Sequence, residues 1–99
     1  MNSLDALTNR TMRAFAALSF REREVLMYRY GLFDGFTYTT SEIGRIWKKD
    51  ARWARRTLAS GVRVLAQRDP GLTTDDLLVL HAAGCVFLSS HCSDVRNQE

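Results

Sequence analysis

Basic side chains that could bind phosphate are concentrated in residues 45–68. This stretch holds eight basic residues and one acidic residue, a net charge of +7, whereas residues 1–44 are neutral and residues 69–99 carry −4. Such a block is typical of surfaces that bind the nucleic-acid backbone, because an ordinary surface mixes both signs. A merely solvated helix face is the alternative that charge alone leaves open. The candidate contacts in the block are Arg45, Lys48, Lys49, Arg52, Arg55 and Arg56.

Residue patterns for catalysis are missing from the sequence. It has no glycine-rich phosphate loop, and the adjacent acids Asp75 and Asp76 are explained by their place in the first turn of a helix. We therefore expect neither an enzyme nor a bound cofactor. A zinc site is a minor alternative, since two of its four candidate ligands are adjacent rather than spaced. Those ligands would be His81, Cys85, His91 and Cys92.

Composition narrows the class of protein further. The chain has 99 residues, of which 45% are hydrophobic and 25% are charged, as in an ordinary globular domain with one modest core. Its longest apolar stretch, residues 77–88, is shorter than the ~20 residues that a membrane-spanning helix needs. Two cysteines are too few for a disulfide scaffold. We expect a cytoplasmic protein that is not attached to a membrane.

The elements that position the basic block are predicted to be helices, in an all-α fold of four to five helices. Apolar residues spaced by three and four predict helices over about residues 3–18, 20–30, 40–47 and 50–67. Capping boxes of Ser19 with Glu22 and of Thr39 with Glu42 mark two helix starts, and Asp50 can cap the basic helix. A short helix, a tight turn and a longer basic helix form the pattern of a helix-turn-helix unit.

The first and last helices are predicted to complete the core. Thr73 or Thr74 can cap a fifth helix over about residues 74–88, which is apolar nearly all round. This helix either closes the core or binds a partner. We therefore divide the chain into a helix-turn-helix domain over residues 1–68 and a C-terminal helix with a loose tail over residues 69–99. The predicted inward face of the first helix consists of Leu4, Leu7, Met12, Phe15 and Leu18.

The residue types around the capping boxes indicate a protein family more specifically than the helical pattern does. Residues 18–32 read LSFREREVLMYRYGL, and a glycine loop then leads to TTSEIGR over residues 39–45. Without a gap from about residue 18 to residue 65, this stretch resembles region 4 of the sigma-70 family of bacterial transcription initiation factors. Quorum-sensing regulators share the opening motif, but the Arg-Tyr-Gly-Leu sequence and the long loop favour sigma. We expect a stand-alone region 4, since 99 residues leave no room for the other sigma regions.

The resemblance implies two binding surfaces. The third and fourth helices would bind the minus-35 element of promoter DNA, with further backbone contacts from Arg21, Arg29, Thr40 and Ser41. The inner apolar surface would bind the β flap of bacterial RNA polymerase. The residues that match this surface are Tyr30, Leu32, Val62 and Leu65.

The basic helix departs from the family at the positions that read bases. Family members carry Glu and Gln where this chain has Arg52 and Arg56, so an acceptor has become a donor and altered DNA specificity is expected. The turn also differs, because Lys48 stands where the family has Gly or a small polar residue, which predicts a strained backbone.

Two functions follow from these departures, and the sequence leaves both open. The first is a transcription regulator that acts at RNA polymerase through the β flap and through promoter DNA of altered sequence. The second is a protein-only regulator or inhibitor that mimics region 4 and binds polymerase, a sigma factor or a second sigma-like subunit without reading DNA. A dimeric repressor unrelated to polymerase is a third, weaker hypothesis.

Overall fold

Five α-helices make up the part of the chain that the computed structural model describes, residues 3–87. They are α1 (Ser3–Phe15), α2 (Phe20–Arg29), α3 (Thr40–Ile46), α4 (Ala51–Arg68) and α5 (Thr74–Ala82). Within residues 3–87 there is no strand, so the predicted all-α fold is correct. None of these helices is both long and apolar enough to cross a membrane.

The predicted starts of α2 to α5 are confirmed, and each of them is specified by a local cap. Ser19 accepts from the amide of Glu22 and Thr39 accepts from that of Glu42, while each Glu returns a bond to its cap residue. Asp50 caps α4 by accepting from the amide of Trp53 at 2.8 Å. Thr73 caps α5 in the same way through Asp76.

Two predicted helix ends are wrong. The first helix ends at Phe15, not near Leu18, because residues 16–18 form a tighter turn that leads into the extended backbone of the Ser19 cap. The last helix ends at Ala82 because Gly84 adopts a φ of 82°, and the amide of Cys85 then bonds back to the carbonyl of Leu80. The predicted end at Leu88 and the predicted loose tail lie outside the described residues.

One main core joins both ends of the described chain. Leu77 and Leu80 of α5 are fully buried in the same cluster as Leu26 of α2 and Leu65 of α4, so α5 closes this core. The segment after α5 also packs against this core. Phe87 is buried, and its amide donates to the carbonyl of Leu32 at 2.6 Å.

The inward face of α1 differs from the prediction at one position. Met12 is 39% exposed, whereas Thr11 and Ala14 are buried. The small side chain of Ala14 and the Thr11 hydroxyl, which bonds to the Leu7 carbonyl at 2.8 Å, allow this face to be buried. Phe15 and Leu18 are buried as predicted.

Candidate nucleic-acid interface

The α3–α4 unit is held together by a close backbone approach. A Cβ atom on Gly44 of α3 would lie 2.5 Å from the carbonyl oxygen of Asp50, which caps α4, so this position has room for glycine alone. A small second core of Val25, Ile43 and Ala54 joins the unit to α2, and all three residues are fully buried. The two helices therefore have one firm arrangement, with the turn of residues 47–50 between them.

Lys48 in this turn has a left-handed backbone, with a φ of 58°. Its amide donates to the carbonyl of Arg45 at 3.0 Å, and the amide of Lys49 donates to that of Gly44 at 2.7 Å. This pair of bonds is the Schellman motif, in which the left-handed position usually holds glycine. Gly84 occupies the equivalent position after α5. The strain predicted at Lys48 is therefore present in the backbone.

The basic side chains of the block are presented to solvent. Within residues 3–87, none of them has a carboxylate at ion-pair distance, in contrast to Arg10, whose Nε lies 2.6 Å from Oδ2 of Asp69 on another face. Cations that form no ion pair within the protein can bind phosphate. The exposed side chains are Arg45, Lys48, Lys49, Arg52, Arg55 and Arg56.

The carboxylates near the block are bonded within the protein. Glu22 accepts from the Ser60 hydroxyl at 2.5 Å and from the Ser19 amide at 3.0 Å, and Glu42 accepts from the Thr39 amide at 2.8 Å. The bond from Ser60, followed by that from Ser19, lowers the pKa of Glu22. The Thr39 amide lowers the pKa of Glu42 in the same way.

Asp50 combines capping with electrostatic contact to the basic helix. Its pKa is lowered first by the bond from the Trp53 amide and then by the positive charges of Arg52 and Arg56. Both guanidinium groups therefore act on the N-terminal end of α4. The spacing of four residues also places these two side chains on one face of the helix.

Aromatic side chains line the edge of the basic surface. The ring centroid of Trp47 lies 5.9 Å from those of Phe20 and Trp53, and the guanidinium of Arg21 lies 5.9 Å from the Trp47 ring. Phe20 remains 54% exposed. Sequence reasoning missed Phe20 and Trp47, although an aromatic residue just before the basic turn was the available signal.

A cleft connects α2 with the basic helix beside these rings. Its volume is about 300 Å³, and its walls include Arg21, Trp53 and Arg56 together with the Glu22–Ser60 pair. Two predicted DNA contacts, Arg21 and Arg56, thus lie in one cleft.

A second cleft brings together two more predicted contacts. Arg29 and Thr40 line a space of about 230 Å³ beside Tyr38, whose hydroxyl bonds to Asp34 at 2.5 Å. Ser41 is exposed in the first turn of α3. The guanidinium of Arg29 lies 5.8 Å from the Tyr30 ring rather than against an acid.

Comparisons with known proteins do not assign a family to this arrangement. No family model, no curated protein and no solved structure matches the chain. The site is therefore interpreted from its own geometry and chemistry.

Two of the four residues predicted to bind polymerase lie inside the core. Leu32 is 0% exposed and Leu65 is 1% exposed, both in the cluster that α5 closes, while Tyr30 and Val62 are half-buried against it. Leu32 and Leu65 can support a surface from within but do not themselves reach one. Tyr30 and Val62 are the two members of this set with exposed area.

Of the four candidate ligands of the zinc alternative, only His81 and Cys85 lie in the described chain. His81 places Nδ1 3.2 Å from the carbonyl oxygen of Gly31. Among residues 3–87, no group of three or more His, Cys, Asp or Glu side chains could hold a metal ion. The remaining two candidate ligands, His91 and Cys92, lie outside the described residues.

Proposed function

We propose that this chain is a transcription regulator that binds duplex DNA with the exposed basic face of α3, the turn and α4. The observation that carries the proposal is the excess of positive charge on this face. Six cationic side chains are exposed there, against two exposed carboxylates, Glu42 and Asp50. The face therefore keeps a net positive charge that attracts phosphate.

The geometry of α4 supports the same function. The 18 residues of α4 span about 27 Å at about 1.5 Å per residue, so its N-terminal turns can lie in the major groove while Leu65 stays in the core. In this arrangement, Arg21 and Arg29 bind the backbone beside the groove, together with Thr40 and Ser41.

Titration of a fluorescent duplex with the full chain at increasing salt concentrations tests this function. Each phosphate contact contributes about 0.9 to the slope of log affinity against log salt. The triple variant Arg52→Ala/Arg55→Ala/Arg56→Ala should lose up to about three units of slope, about one for each of these side chains that contacts a phosphate rather than a base. Arg13→Ala/Arg68→Ala, which removes exposed cations near Asp69, should leave the slope nearly unchanged. Absence of binding at low salt would refute the proposal.

We propose, on the resemblance to region 4, that the regulator acts at bacterial RNA polymerase in the cytoplasm. The β flap would contact the half-buried Tyr30 and Val62. A pull-down of purified polymerase core, and separately of its flap domain, tests this part of the proposal. Retention by the wild-type chain and loss by Val62→Asp would support it, and failure to retain either target would contradict it.

The protein-only function is favoured by one observation, the exposed apolar edge of Phe20 and Ile46 beside the basic turn. These side chains are 54% and 46% exposed, respectively. A protein-only regulator should retain polymerase or a sigma factor equally well when Arg52, Arg55 and Arg56 are replaced by alanine. If the protein-only function is correct, the wild-type chain should not bind duplex DNA at any salt concentration.

A further inference from the structure

The side chains that α4 offers to a groove are of one chemical kind. On its first two turns, Arg52, Arg55 and Arg56 are exposed, whereas Ala54 is buried and Trp53 is half-buried in the aromatic cluster. Guanidinium groups only donate hydrogen bonds. A base edge read by these residues must therefore supply acceptors.

The side chains that usually read adenine and cytosine are missing from the first two turns of α4. Adenine is usually read by Asn or Gln, and no residue of either type occurs between positions 10 and 66. Cytosine is usually read by a carboxylate, and no Asp or Glu occurs in residues 51–68 of α4. The nearby Glu22, Glu42 and Asp50 each take part in a helix cap. Glu24 is buried, with 6% exposure, and Asp34 accepts from Tyr38.

We infer that this surface selects DNA with guanines in the major groove, read by Arg52 and Arg56; the inference rests on the DNA-binding function proposed above. Guanine presents O6 and N7 as a pair of acceptors that fits the two-pronged arginine donor. Residues at positions i and i+4 lie about 5–6 Å apart at their Cβ atoms. Bases along one strand are spaced by about 3.4 Å. The preferred site thus holds two guanines one or two steps apart.

Replacement of guanine by 7-deazaguanine gives a direct test, because it removes the N7 acceptor and keeps base pairing and every phosphate. Two duplexes of the same guanine-rich sequence, one with each base, are titrated with the full chain at one salt concentration. Since one bidentate contact is worth about a tenfold change in affinity, the 7-deazaguanine duplex should bind at least about tenfold more weakly.

The variant Arg52→Ala/Arg56→Ala provides the matched control. It lacks the donors that reach N7, and the two duplexes carry the same phosphates, so this variant should bind both duplexes with nearly equal affinity. Circular dichroism establishes that it folds.

The outcomes separate this inference from the function on which it rests. Equal affinity of the wild-type chain for both duplexes, with salt-dependent binding retained, would overturn the guanine inference and leave DNA binding intact. Discrimination retained by the double alanine variant would also overturn it. Failure to bind either duplex at low salt would overturn both.

Discussion

The left-handed backbone of Lys48 predicts that a change to glycine stabilises the protein. For a residue with a side chain, this conformation costs about 1–2 kcal/mol, because Cβ approaches the following carbonyl oxygen. Lys48→Gly removes that cost but loses about 0.4–1 kcal/mol through the greater freedom of the unfolded chain. We therefore expect a net gain of about 1 kcal/mol. In a domain of this size, such a gain raises Tm by roughly 4–8 °C.

Two variants calibrate this expectation within the same protein. Lys49→Gly removes the same charge at a residue outside the left-handed region, so it should lower the free energy of unfolding by about 0.5–1 kcal/mol. Gly84→Ala places a side chain at a φ of 82° with no atom within 4 Å of the new Cβ. It should destabilise by about 1 kcal/mol through backbone conformation alone.

Urea titration of the wild-type chain and the three variants, followed by circular dichroism, measures these differences. We expect Lys48→Gly to be the most stable of the four proteins, followed by the wild type. Lys49→Gly and Gly84→Ala should both be less stable than the wild type. If Lys48→Gly and Lys49→Gly are destabilised to the same extent, the strain assigned to Lys48 is refuted. Lys48→Gly should also bind DNA more weakly than the wild type, because it removes one cation from the basic face.

Three further predictions concern the packing and titration of the fold. Gly44→Ala should destabilise by about 1–3 kcal/mol because its Cβ would lie 2.5 Å from the Asp50 carbonyl, whereas Gly61→Ala, which meets the end of the Leu26 side chain at 3.1 Å, should cost less in urea titration. Phe87→Ala should cost about 3–5 kcal/mol by opening a cavity against Phe15, while Val86→Ala, at a position 46% exposed, should change the unfolding free energy little. Glu22, whose pKa is lowered in the folded state, contributes stability above its unfolded pKa of about 4.3, and this contribution is lost as the pH falls through the folded pKa. Glu22→Gln should accordingly flatten the dependence of Tm on pH below about pH 5, and an unchanged dependence would contradict the bonds assigned to Glu22.

Local chemistry explains which parts of the fold were predictable. The caps at Ser19, Thr39 and Asp50 each involve residues three positions apart, so the sequence pattern contains all the necessary information. The end of α5 is also specified locally, by Gly84. The prediction placed this end too late because the apolar run continues through residues 77–88. The prediction that Met12 faces the core was wrong for a different reason. Helical spacing does not distinguish a buried position from its neighbour at the edge of the same face.

The positive charge of the candidate site could be predicted from the sequence, but the contacts between its helices could not. The basic block and the unusual turn residue Lys48 are visible in the sequence. The bond between Glu22 and Ser60 joins residues 38 positions apart, and it depends on how α2 packs against α4. Likewise, the burial of Leu32 and Leu65 follows from the closure of the core by α5 and Phe87, which no local pattern specifies.

Chemical-shift mapping of the folded chain tests the central claim, DNA binding by the basic face, most directly. Backbone amide signals are followed by NMR as a guanine-containing duplex is added at low salt. We expect the largest chemical-shift changes at residues 40–56 and smaller changes at Arg21 and Arg29. The amide signals of α1 and α5 should change little. Changes concentrated in α1 or α5, or no changes at any duplex concentration, would contradict it.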